Sequence, residues 1–146
     1  MPPPLDRGRG SLEHCAKTHA DDMNMLADRI MRAIETGDRE AVAACYAPGA
    51  RIWHNFDGVE QTVEENLRAL AWVEKRLGAR KYRIVARHAF DGGYVQQHEL
   101  TGTLANGEAF SMPACLVVQV KDGRIARLDE YLDTAQSRKL RLHKAP

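Results

Sequence analysis

The sequence predicts an α+β domain, on three observations. Apolar residues recur at helical spacing in the first half of the chain and alternate with polar ones in the second, the period changing after Gly78. Asp91-Gly92-Gly93, Asn106-Gly107 and Asp122-Gly123 are hairpin signals that cut the alternating half into four strands. Helices followed by a strand meander can cover only one face of the resulting sheet.

Residues 1–20 carry Pro2, Pro3, Pro4, Gly8 and Gly10 with scattered charges and no period, so a flexible N-terminal arm is expected there. From about Asp21, the run Met23, Leu26, Ala27, Ile30, Ala33 and Ile34 predicts an amphipathic helix that Gly37 stops. Asp38 is placed to cap a second, shorter helix through Ala41, Val42 and Cys45, which Pro48 and Gly49 should end. Residues 50–55, with Ile52 and Trp53, read as a short strand before the turn at Asp57-Gly58. A third helix is expected from about Glu60 to Leu77, on Val63, Leu67, Leu70 and Val73, with Gly78 as its stop. The strands follow over 82–90, 94–104, 109–120 and 124–133. Residues 21–136 thus form one domain, and 137–146 a basic tail with Arg138, Lys139, Arg141 and Lys144 that reads as a solvated end.

At 146 residues one hydrophobic core suffices. Twenty-one basic against 20 acidic residues leave a net charge of +1, too little to draw in nucleic acid or an anionic membrane. No apolar run is long enough for a membrane span and no secretory leader is recognisable, so a cytoplasmic location is expected. Cys15, Cys45 and Cys115 are odd in number and far apart, which suits free thiols. Cys15 lies between His14 and His19 but has no second cysteine at zinc-site spacing. Without a phosphate loop, a nucleophile elbow or a metal-ligand pattern, neither metal nor cofactor is expected.

Val85, Cys115 and Val117 fall opposite the stronger apolar stripes of their strands, and an apolar sheet face that the helices cannot reach predicts a homodimer through that outer face.

The element order, with Trp53-His54-Asn55 ahead of the third helix and Asp122-Gly123-Arg124-Ile125 leading to Asp129-Glu130-Tyr131-Leu132-Asp133, resembles the nuclear transport factor 2-like superfamily and its SnoaL-like branch. The resemblance spans roughly residues 21–136. It implies a curved antiparallel sheet packed on three helices, a cone with an interior pocket for a small molecule. Two enzymes of that superfamily fit poorly. The limonene epoxide hydrolase pattern falls on Trp53, Asn55 and Glu130, but its tyrosine is tryptophan here and its arginine has no counterpart between Gln96 and Thr101. The carboxylate base of ketosteroid isomerase would fall near Asn55, and an amide takes no proton. A SnoaL-type cyclase uses a histidine and an acid inside the cavity, and His98 and Glu130 are the residues to match.

Each of these has a second reading. His98 stands mid-strand among Val95, Leu100 and Leu104; facing inward it is a general base, facing outward or bonded into the sheet it is structural. Glu130 lies between Leu128 and Leu132, so it shares an apolar face, either as a general acid with a raised pKa or as the partner of Arg127 or Arg87. Trp53 and Asn55 point the same way, with His54 opposite, and suit a ligand bearing a carbonyl or hydroxyl; Trp53 serves equally as core. Tyr46, Trp72, Met112 and Tyr131 are further candidates for the pocket wall. The functional expectation is cofactor-independent proton transfer (isomerisation, cyclisation or dehydration) on an apolar, oxygen-bearing substrate. The alternative is a noncatalytic ligand-binding or dimerisation domain.

Overall fold

The computed structural model describes the backbone of residues 9–142 and the side chains of 19–142. Its elements are α1 (Arg9–Thr36), α2 (Arg39–Cys45), β1 (Tyr46–His54), β2 (Glu60–Gln61), α3 (Val63–Glu74), β3 (Leu77–Phe90), β4 (Gly93–Leu104), β5 (Ala109–Lys121), β6 (Arg124–Leu132) and α4 (Thr134–Leu142). The strands form one curved, unclosed sheet in the order β2-β1-β6-β5-β4-β3. The meander β3 to β6 is antiparallel as the hairpin signals require. β1, however, joins β6 in parallel, so the sheet is mixed rather than wholly antiparallel.

Local chemistry explains most of the boundaries. α1 buries Met23, Leu26, Ala27, Ile30, Met31 and Ala33 along one face. It ends at Gly37, whose φ of 72° allows the amides of Gly37 and Asp38 to close on Ile34 and Ala33. Asp38 caps α2 by accepting from Ala41 N at 3.0 Å, and Thr62 caps α3 by accepting from Glu65 N at 3.2 Å. Asp122 and Gly123 both have positive φ, 51° and 76°, which matches a two-residue hairpin turn to the sheet's twist.

Elsewhere the boundaries move. α1 starts at Arg9, inside the segment read as an arm, and α4 occupies the first part of the segment read as a tail. Residues 1–8 and 143–146 of those two segments, and the side chains of His14 and Cys15, lie outside the described residues. α2 stops at Cys45, so Pro48 and Gly49 fall within β1. α3 is shorter than its pattern: β2 takes Glu60–Gln61, and Leu77 and Gly78 already belong to β3.

All four helices pack against strands. One core cluster joins α1 and α2 to Tyr46, Ile52, Tyr94, Leu116, Val118, Ile125 and Leu128; a second joins Leu77, Leu100, Leu104, Phe110 and Met112 to Leu140 of α4. Val85, Cys115 and Val117 stand on the opposite, outer face, where Val85 is 56% exposed. Cys45 and Cys115 are free thiols, and no helix among the described residues is long and apolar enough to cross a membrane.

Candidate functional site

Between the two core clusters the inner sheet face and the helices leave a cavity of about 310 Å³. Ile52, Leu100, Met112, Leu116 and Leu128 form its floor, Met31, Ile34, Leu70 and Val73 its helical side, and Ser137, Leu140 and Arg141 of α4 border it. Its polar groups come from His54, Glu130, Tyr46, Tyr82, Gln61, Asn66 and Arg80.

Glu130 is held there by strand alternation, since Leu128 and Leu132 on either side of it line the same cavity. The parallel register pairs His54 directly with Glu130, and their side chains meet at 3.8 Å, Nε2 to Oε1. That is an ion-pair contact, too long for a hydrogen bond. Both arginines that the sequence offered to Glu130 are engaged elsewhere, Arg127 by Asp129 and Glu60, Arg87 by Asp28 and Gln96. Burial therefore raises the carboxyl pKa above its ordinary value, and His54 opposes the rise only in part. His54 is itself under-satisfied, because its buried Nδ1 has no hydrogen-bond partner among the described residues.

Two phenols complete the polar end. Burial first, followed by Tyr94 and Glu130 at Tyr46 and by Glu130 at Tyr82, drives both hydroxyls far above the usual tyrosine range, so both stay neutral donors. Asn66, buried on α3, donates to Gln61 Oε1 at 3.2 Å, which fixes an amide pair in the wall.

Of the residues singled out from sequence, Glu130, Tyr46, Trp72 and Met112 line this cavity. The others stand elsewhere. Trp53 lies on the outer face, its ring 5.2 Å from that of Tyr131, which is 51% exposed. Asn55 is exposed and clasps the end of the β1–β6 pair, donating to Leu132 O at 3.2 Å and accepting from Leu132 N at 3.1 Å. The alternation that set Trp53 and Asn55 against His54 holds, but the cavity is on the His54 side.

His98 faces inward and is only 2% exposed, yet it does not line the cavity. Its ring packs edge-on to Tyr82, at 4.9 Å and 80°, behind the cavity wall. A β-bulge between Ile84 and Ala86 reverses the face of β3, so Arg87 turns inward and donates from Nε to Gln96 Oε1 at 2.9 Å. Arginine only donates, so the Gln96 amide must point its NH₂ at His98 Nδ1, 2.9 Å away, and the imidazole proton sits on Nε2. Burial, helped by Arg87, lowers the His98 pKa to about 4.

His54, Tyr82 and Asn66 are the site residues that the sequence reading passed over. A signal existed for two of them. His54 has the parity of Ala50 and Ile52, and Asn66 sits three residues after Val63 and four before Leu70 on the apolar side of α3. Among the described residues no three His, Cys, Asp or Glu side chains cluster as a metal site.

A helix-covered curved sheet with a lined hollow defines the class: a pocket domain of the nuclear transport factor 2-like fold. Residues 27–128 match the model of the SnoaL-like domain family, and the chain belongs to that family. Solved structures agree. PrhC from Penicillium brasilianum NBRC 6234 superposes with a TM-score of 0.76 at 14% identity, over 84% of this chain and 87% of that one. A protein with a ketosteroid isomerase-like fold from Catenulispora acidiphila DSM 44928, solved with trimethylamine, gives 0.69 at 12% identity over 76% and 87%. TsrD from Streptomyces laurentii gives 0.70 at 18% identity over 82% and 95%. At such identities the likeness is one of fold alone. No curated protein matches the sequence significantly.

Proposed function

We propose that this chain binds a small, apolar, oxygen-bearing molecule in its cavity and moves a proton on it without a cofactor, with Glu130 as acid and His54 as base. One observation carries the reading: a half-buried carboxyl without a hydrogen-bond partner among the described residues faces a cavity, with an imidazole 3.8 Å away. A volume of about 310 Å³ is at the small end of ligand sites. A carboxyl whose pKa burial raises is the better placed to donate a proton to a ligand oxygen, while the imidazole beside it takes one from a neighbouring carbon or hydroxyl. Tyr46 and Tyr82 are available to hydrogen-bond the oxygen as charge develops on it. Loss of a C–H proton and gain of an O–H proton is an enolisation, the step common to isomerisation and cyclisation; protonation of a departing hydroxyl instead gives dehydration.

His98 takes no part as base in this scheme. Its only lone pair receives the Gln96 amide, so it acts as a support behind Tyr82.

The test is a pH titration by NMR with ¹³C-labelled glutamate and histidine. Glu130 should titrate above 4.5 and shift the His54 ring signals as it does so, and Glu130→Gln should remove that coupling. A Glu130 carboxyl titrating at the ordinary value, with His54 indifferent to it, would leave a binding domain without catalysis.

The outer face favours a companion reading, self-association. Val85, Tyr131, Trp53, Cys115 and Val117 share that face with no helix over it. Sedimentation should show a dimer at micromolar concentration that Val85→Glu dissociates; a wild-type monomer ends this proposal.

A further inference from the structure

The cavity wall holds two guanidinium groups, and they differ in what they are already doing. Arg80 is spent: it donates to the carbonyls of Glu74, Leu77 and Glu35 at 3.3, 2.9 and 3.3 Å, and lies 4.0 Å from the Glu74 carboxylate. Arg141, in the last turn of α4, has no carboxylate within ion-pair distance among the described residues. Its guanidinium is placed instead over the Phe56 ring, 5.1 Å from the centroid. Phe56 in turn lies 5.4 Å from the His54 ring. One wall therefore runs Glu130, His54, Phe56, Arg141, from a half-buried acid to an exposed cation with no carboxylate at ion-pair distance among the described residues.

A basic residue in a helix's last turn has an ordinary use, to offset the helix dipole, and Lys139 shares that use. Lys139 does not line the cavity, and Arg141 does. No acidic residue lies on α4 to neutralise it, and among the described residues of the cavity wall the only carboxyl is that of Glu130.

We propose that the ligand is an amphipathic organic acid, whose carboxylate is clamped by Arg141 at the mouth while its apolar body fills the cavity and reaches His54 and Glu130. The proposal rests on the cavity being a ligand site. A planar guanidinium seated on an aromatic ring offers a carboxylate two parallel N–H donors, and the ring limits the freedom lost when it does so.

An isosteric pair of probes separates charge from shape: 2-naphthoate and its neutral analogue 2-naphthamide, each titrated calorimetrically at low salt. The unmodified protein is expected to prefer the naphthoate about tenfold, as a charge-assisted contact at a half-open site allows. Arg141→Gln should bring the two ligands to within about twofold of each other without weakening the amide, and Arg141→Lys should keep part of the preference. Arg141 is exposed, and circular dichroism of both variants checks that α4 and the sheet persist. An unchanged naphthoate preference in Arg141→Gln, or no preference in the unmodified protein, overturns the clamp and leaves the pocket reading intact. Binding of neither probe overturns the pocket reading, and the clamp with it. Met112→Trp, which fills the floor, should abolish both; a naphthoate signal that survives it lies outside the cavity and overturns the clamp.

Discussion

Two inward-facing histidines of the sheet, His98 buried and His54 half-buried, differ in one respect that decides their use. His98 on β4 is enclosed by Tyr82 and has its lone pair committed to Gln96, which Arg87 orients and Asp28 anchors to α1. His54 on β1 has a carboxyl at a loose 3.8 Å and an orphaned Nδ1, beside open space. Both face the interior; among the described residues only His98 has a ring nitrogen held by a short hydrogen bond. A polar chain joined by short hydrogen bonds rigidifies the fold, whereas a loosely held pair beside a cavity can exchange protons with a guest.

The comparison breaks or sharpens under mutation. The largest effect is expected for Gln96→Leu, which strands Arg87 Nε and His98 Nδ1 together in the interior and should cost about 3 kcal/mol in urea unfolding. A cost under 1 kcal/mol would mean that the chain of polar contacts is not structural.

Acidification comes next. The folded protein holds His98 at about 4 against 6.5 unfolded, so the unfolded state binds the extra proton between those values. Stability should therefore rise with pH from 4 to 6.5, and on the order of 3 kcal/mol should be lost on descending that range. His98→Leu should flatten the slope. Persistence of the full slope in that variant would assign it to another group.

Glu130 has the opposite sign and a smaller effect. Its folded pKa is raised, so the folded state binds more protons above 4.5 and stability falls as pH climbs from there through the raised value. Glu130→Gln is accordingly expected to stabilise the protein by about 1 kcal/mol at pH 8 and to have no effect at pH 4. Equal destabilisation at both pH values would make the carboxyl a structural partner, contrary to its assigned role. The smallest effect belongs to the outer face: Trp53→Ala, which removes a half-buried ring from Tyr131, should cost about 1 kcal/mol and leave the NMR signals of His54 in place.

Much of this was legible in the residues. Alternation of Leu128, Glu130 and Leu132 put the acid on the covered face, and the same rule placed Gln96, His98 and Leu100 together. The turn pairs gave the meander, and Asp38 gave the start of α2. What alternation does not contain is which of two parities faces the hollow when apolar residues lie on both. A flat ring and an amide suit a ligand, so the residues favour the Trp53–Asn55 side of β1, whereas the cavity lies on the Ile52–His54 side. Nor does a one-dimensional period survive an inserted residue: past the bulge at Ile84–Ala86 the pattern of β3 inverts, and Arg87 enters the interior.

The sequence by itself determined the order of the first three helices and the five longer strands, the Asp38 cap, the hairpins and an acid on the covered face, because each depends on residues within a few positions of one another. Only the tertiary structure decided that β1 runs parallel to β6, and hence that His54 is the residue beside Glu130. That pairing joins strands separated by most of the chain, and it is selected by the joint packing of helices and sheet, which no local spacing encodes.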